Sequence, residues 1–238
     1  RLKNTPELIQ TITLNKTSDC SLFEVSLPLW VDVHITSIEL ESGFSLEEIK
    51  KEKKGIYVAY GDSITHGRGQ DVTEETYAYQ LAEALGMELF NIAVGGGKAS
   101  KASAEMIAND FEKIDLITIL IGYNDLVGNG VSPDVFQTRY EDVLSALQSK
   151  HKNTNIVCVT MLTTTILMSK KLSHTPDEFR EVVRSIVNNR IKDGDKNLLL
   201  VEGPEYSSKE GLNDPVHLNK IGATAFSKGL FKEIKDFF

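Results

Sequence analysis

The chain of 238 residues has only two cysteines, and neither has Cys or His neighbours at the spacing of zinc ligands. Cys158 lies inside an apolar strand pattern and reads as a buried free thiol, while Cys20 falls in a polar turn region. No apolar run approaches the roughly 20 residues that a membrane span needs, and no signal peptide shows at the start. Basic residues are in deficit, with 26 Lys and Arg against 34 Asp and Glu, a formal charge of −8 and a pI near 5.2. That balance argues against a general nucleic-acid or anionic-membrane binder. Internal repeats and low-complexity tracts are absent. No G-x-S-x-G elbow occurs, and no G-x-G-x-x-G opens the first helix. "GGGK" at 95–98 fails as a phosphate loop twice, because Ile92 stands where the first glycine is required and Ala99 where Ser or Thr would meet magnesium. The chain begins with Arg1, not Met, which suits a fragment or processed form; the expectation is a soluble protein, cytoplasmic unless a leader was removed before Arg1.

What is present falls into two parts. From about residue 11 to 42 the pattern has period two. In "WVDVHITSIEL", Val31, Val33 and Ile35 alternate with Asp32, His34 and Thr36, then the phase shifts to Ile38 and Leu40. This predicts a small antiparallel β segment over 1–50, with a bulge near Thr36. The charged run "SLEEIKKEKKG" (45–55) reads as a solvated connector or short helical turn.

From Gly55 the rhythm changes to short apolar runs separated by amphipathic stretches. The runs are 56–60, 88–92, 115–121, 155–161 and 198–202, and being apolar on both faces they suit a parallel sheet covered on both sides. Helical signals lie between them. One pattern runs from Thr76 to a glycine stop at Gly86, another starts at Ser132-Pro133, and a third at Thr175 has Glu178 at capping-box spacing. The last runs from about Asn219 to Phe237. The alternation predicts an α/β fold, a three-layer α/β/α sandwich with a five-stranded parallel sheet, over 55–238.

In such sheets ligands bind beyond the carboxyl ends of the strands. Following the successive strands come Gly61-Asp62-Ser63, then "NIAVGGG" (91–97), then Gly122-Tyr123-Asn124-Asp125, and near the end "DPVHLN" (214–219). Each has a plainer reading taken singly: a turn or cap for Asp62 and Ser63, a flexible loop for the glycines, a turn for Asn124-Asp125, a surface histidine for His217. Their joint occurrence on one sheet edge is harder to attribute to accident.

This set resembles the SGNH (GDSL) hydrolase family, whose blocks Gly-Asp-Ser, Asn-x-x-x-x-Gly, Gly-x-Asn-Asp and Asp-x-x-His are matched in order at 61–63, 91–96, 122–125 and 214–217. The family often has Ser where Gly95 stands here. The resemblance implies a flavodoxin-like domain in which Ser63 is the nucleophile, His217 its base and Asp214 the carboxylate that orients the imidazole. It assigns the oxyanion donors to the backbone N–H of Ser63 and Gly96 and to the Asn124 amide, with Asp62 and Asp125 in support. A serine hydroxyl is inert until a base takes its proton, so these groups make chemical sense together. No metal or organic cofactor is implied.

The expected activity is hydrolysis of short acyl esters, with acetyl groups on a saccharide as the expected case. A lipase or lysophospholipase, an acyltransferase with the same site, and a non-catalytic binding module remain alternatives. The expected partner is a small-molecule or saccharide ester and not nucleic acid; the oligomeric state is unknown. Of the other histidines, His34 and His151 read as solvated. His66 is placed to line the pocket, and His174 lies in a segment (163–176) read as a wall or lid.

Overall fold

A computed structural model of the chain describes residues 11–15, 25, 29–30, 33–45, 52–128 and 130–237. Five strands form one sheet: β1 (Ile56–Gly61), β2 (Glu88–Asn91), β3 (Leu116–Leu120), β4 (Asn155–Val159) and β5 (Leu198–Val201). Every pairing is parallel, in the order β2-β1-β3-β4-β5. The helices are α1 (Ser63–His66), α2 (Tyr77–Leu85), α3 (Lys101–Asp110), α4 (Tyr123–Leu126), α5 (Pro133–Lys150), α6 (Pro176–Lys192) and α7 (Lys220–Ile234).

Side chains alternate across a strand, so each central strand feeds two cores. Val58, Ile117, Ile119, Ile156 and Cys158 pack with α3, α5 and α6 on one face. Tyr57, Ala59, Leu116, Val157 and Val159 pack with α2 and α7 on the other. This is the three-layer sandwich that the doubly apolar strands require. One run departs from the pattern: β2 is an edge strand, mostly exposed, with Phe90 packed edge-on against Phe111. Having only β1 for a neighbour, it is not covered on both faces.

Caps set the helix starts. The side chains of Thr76, Ser100, Ser132 and Asn219 accept from backbone N–H groups in the first turns of α2, α3, α5 and α7, and Thr175 and Glu178 form the full capping box of α6. The sequence pattern does not mark α3, whose "KASAEMIAND" carries a weak apolar stripe.

The antiparallel β segment does not form among the described residues of 1–50. Residues 11–15 and 33–45 hold no strand, and Ile35 and Ile38 are 67% and 65% exposed. A half-buried strand needs a paired neighbour and a core beneath it, and the described residues supply neither. The bulge expected at Thr36 goes with it. Most of the connector expected over 45–55 (46–51) and Cys20 lie outside the described residues, whereas Cys158 is buried and free. No helix among the described residues is long and apolar enough to cross a membrane.

The register places the site. Gly61 at the end of β1 is level with Leu120 at the end of β3, and Ala59 is level with Asn91. The chain leaves β1 toward β2 on one side and β3 on the other, so the turns after these strands flank the switch point where ligands bind in open sheets. A buried aromatic layer supports that edge. Phe136 stacks on Phe179 at 4.8 Å and meets Tyr140 edge-on at 5.7 Å. A Cβ at Gly122 would come within 2.8 Å of the Phe136 ring, so α5 lies directly under the turn that follows β3. Phe136→Ala is expected to lower stability by about 3–5 kcal/mol, read from urea unfolding followed by far-UV circular dichroism. A loss below about 1 kcal/mol would mean that the ring does not carry the layer.

Candidate active site

The strand-to-helix turn after β1 is tight. A Cβ at Gly61 would collide with Thr65 Oγ1 and the Leu120 carbonyl, so only glycine lets β1 pass into α1 without moving either. Asp62 caps the resulting single turn, its Oδ1 accepting from Ile64 N–H at 2.9 Å. Ser63 is thereby the first helical residue. Its hydroxyl lies 2.8 Å from His217 Nε2.

His217 arrives from the other end of the chain, and its loop is held on three sides. Asp214 Oδ1 accepts from the backbone N–H of Val216 and of His217, both at 2.9 Å, and His217 Nδ1 is 2.7 Å from Asp214 Oδ2. Gln70 Nε2 donates to the Leu218 carbonyl at 2.7 Å, tying the loop after Ser63 to the residue after His217. From the third side, Thr164 Oγ1 and Thr165 N–H donate to the Pro215 carbonyl at 2.8 and 3.0 Å. Burial works against the Asp214 carboxylate, yet the N–H groups of His217 and Val216 and the imidazole together hold its pKa below the ordinary value. An ionised Asp214 accepts from His217 Nδ1–H, which leaves Nε2 free to accept from the Ser63 hydroxyl.

Unspent donors lie beside this chain. Neither Ser63 N–H nor Gly96 N–H has a hydrogen-bond partner among the described residues. Gly96 has φ of +80°, a conformation that L side chains seldom adopt, in a turn closed by Gly97 N–H to the Val94 carbonyl at 2.9 Å. Asn124 Nδ2 donates to the Gly97 carbonyl at 3.0 Å and reaches Asp62 Oδ2 at 3.3 Å. The amide is therefore fixed between the turns after β1 and β2, and its longer contact is the weaker one.

Asp62 and Asp125 hold this edge from beneath. Asp125 accepts from Ala99 N–H at 2.9 Å and from Arg139 Nη1 at 3.0 Å, joining the Asn124 turn to the glycine loop and to α5. Burial raises its pKa despite those donors. Asp62 is also buried, and desolvation, opposed by Ile64 N–H and aided by the Asp125 charge, pushes its carboxyl up to about 7. Asn91 joins the same frame, donating to the Thr65 carbonyl at 2.9 Å and accepting from Ala93 N–H at 3.2 Å.

The 163–176 segment does form a wall against Pro215. Arg180 in α6 fixes its root by donating to the Met161 and Leu162 carbonyls at 2.8 and 2.6 Å. His174 turns away to Glu178 at 3.1 Å. Contrary to the solvated reading, His151 is buried, its Nε2 3.1 Å from the Ala108 carbonyl; His34 is exposed. Gln70, Arg139 and Arg180 stand outside every motif, and nothing in the sequence distinguishes them from surface polar residues. Among the described residues no group of His, Cys, Asp and Glu is placed to hold a metal ion.

Residues 59–225 match the GDSL-like lipase/acylhydrolase family, and the chain belongs to that family. No curated protein matches it. Among solved structures it is similar to the salicylyl-acyltransferase SsfX3 from a tetracycline biosynthetic pathway, with TM-score 0.69 and 23% identity over 82% of this chain and 58% of that one. A family two carbohydrate esterase from Clostridium thermocellum, solved with cellohexaose, gives TM-score 0.66 and 22% identity over 81% of this chain and 67% of that one. At these identities the likeness is one of fold, the α/β sandwich of the SGNH hydrolases.

The position of Asp62 yields a pH test. Its folded pKa, about 7, lies above its ordinary 3.8, so the folded state binds more protons between those values. Stability contributed by this group is full below pH 4 and falls as pH rises toward 7, by up to a few kcal/mol. Urea midpoints of wild type and Asp62→Asn should diverge between pH 4 and 7, with only the wild type carrying the downward slope. Parallel profiles would show that the buried carboxyl is not perturbed.

Proposed function

We propose that this domain is a serine esterase acting on short acyl esters, and the observation that carries the reading is the unbroken chain Ser63–His217–Asp214 beside two backbone N–H groups that have no partner among the described residues. In the first step Ser63 Oγ bonds to the ester carbonyl carbon while its proton passes to His217 Nε2. The oxyanion accepts from Ser63 N–H, Gly96 N–H and Asn124 Nδ2, which exchanges its long contact to Asp62 for the new one. The C–O bond to the alcohol then breaks and the alcohol leaves with the proton from Nε2. Water repeats the sequence on the acyl-enzyme: its oxygen joins the carbonyl carbon as its proton goes to Nε2, then the bond to Ser63 breaks, Oγ takes that proton back and the acid is released. Asp214 stays ionised throughout and stabilises the imidazolium.

Preference for a short acyl group is supported by a small crevice next to the Ser63 turn. Lined by Asp62, Ile64, Tyr123, Thr164 and Val216, it has a volume of about 10 Å³, roughly the room of one water. That crevice is too small for a long chain. The fold likeness to a carbohydrate esterase sets acetylated saccharides as the first natural esters to try. Residues 1–50 are proposed as an accessory segment of the 55–238 catalytic domain.

Ser63→Ala and His217→Ala should each lower kcat by about 10⁴-fold or more, and Asp214→Asn by somewhat less. The measurement is hydrolysis of p-nitrophenyl esters from acetate to decanoate, with circular dichroism confirming that each variant is folded. Serine-dependent turnover that falls with chain length supports the short-acyl reading. Turnover that rises with chain length replaces it with a lipase reading, and full activity in folded Ser63→Ala overturns the mechanism.

A further inference from the structure

One aromatic side chain from outside the sheet domain lies at the mouth of this site. Trp30 stacks on His66, ring centroids 3.9 Å apart and planes 11° from parallel. His66 is the last residue of α1, the turn that Ser63 begins. On the other side of the mouth, a Cβ at Gly95 would come within 3.0 Å of the six-membered ring of the indole. The indole thus bridges the Ser63 turn and the loop that carries Gly96. A side chain at position 95 would press on it, so glycine there and tryptophan at 30 are fitted to one another.

Two features separate this from ordinary packing. Trp30 has φ of +68°, a conformation that costs a bulky L residue on the order of 1–2 kcal/mol. That strain holds a large apolar side chain where 42% of it remains in water. Strain kept beside the Ser63 turn, in a side chain left exposed among the described residues, is a mark of functional positions. Leu29, the preceding residue, reaches the turn as well, within 3.1 Å of where a Cβ at Gly67 would lie.

We propose that Trp30 is a specificity-determining residue: its indole forms a platform at the rim of the Ser63 site on which the ring of a saccharide ester stacks. This rests on the esterase reading and deepens it by naming the alcohol part of the substrate. One face of the indole is covered by His66, and 42% of the residue stays exposed, an open surface instead of an enclosed channel. An open surface suits a ligand that is apolar on one face and polar around its edge. A pyranose is built that way, with axial C–H bonds toward the indole and hydroxyls toward water. A fatty chain gains little on such a surface, because it leaves water only when enclosed.

Trp30 is the chain's single tryptophan, so its emission reports on this surface alone. Two measurements test the proposal. In the first, acetate release from methyl 6-O-acetylglucopyranoside is compared with release from ethyl acetate, for wild type, Trp30→Ala and Trp30→Phe. The ratio of kcat/KM for the two esters should fall about tenfold in Trp30→Ala, the scale of one lost ring contact, through KM and not kcat. Trp30→Phe should recover most of it. In the second, Ser63→Ala is titrated with the same pyranoside, and Trp30 emission should change saturably. An unchanged ratio, equal losses on both esters, or a flat emission trace overturns the proposal. With phenyl acetate run as a third ester, a greater loss on it than on the pyranoside would also overturn the proposal, in favour of an aryl ester. If wild type hydrolyses none of these esters, the esterase reading falls and the titration alone decides: a saturable change keeps Trp30 as a saccharide platform, and a flat trace removes it.

Discussion

The 2.8 Å contact between Ser63 and His217 joins residues 154 positions apart, and most of the described structure bears on keeping it. Serine is carried by a strand buried on both faces, so its position is set by core packing. Histidine is carried by a loop, which has no such support of its own. The loop is instead fastened to its surroundings by Asp214, by Gln70 from the Ser63 side and by Thr164 and Thr165 from the wall segment. A rigid hydroxyl and a fastened imidazole together hold a geometry that a misplacement of about 1 Å would disable.

The polar groups under the site are arranged at a cost. Asp62 and Asp125 are both buried and both have raised pKa values, Asp62 by desolvation with the Asp125 charge adding to it, Asp125 by desolvation against the donors Ala99 and Arg139. Their return is positional: between them they tie the turns after β1, β2 and β3 to α5. Buried polar groups of this kind specify one arrangement of a site more than they stabilise the fold. The same logic applies to Trp30, where backbone strain keeps an indole at the rim instead of in a core.

Much of the fold was legible because its signals are local. A strand apolar on both faces must be sandwiched, and caps at Thr76, Ser132, Thr175 and Asn219 mark helix starts through their own hydrogen bonds. The exceptions are equally physical. β2 has the composition of a central strand but lies at the edge, since strand order is a property of topology. The alternation at 33–40 has a strand's period but no partner among the described residues, and period alone forms no hydrogen bonds.

For the site, the sequence by itself named the candidate residues, because Gly-Asp-Ser and Asp-x-x-His each carry a local demand, a tight turn in one and a carboxylate three residues before its imidazole in the other, and Gly-x-Asn-Asp follows a strand. That these segments meet was implied by a parallel sheet, which delivers every strand's carboxyl end to one edge. Only the tertiary structure decided what surrounds them. Gln70 on Leu218, Arg139 on Asp125, Arg180 on the root of the wall, His151 in the interior and Trp30 on His66 are contacts between residues far apart in the chain. Nothing local constrains a glutamine or a tryptophan to such a role, so no motif announces it.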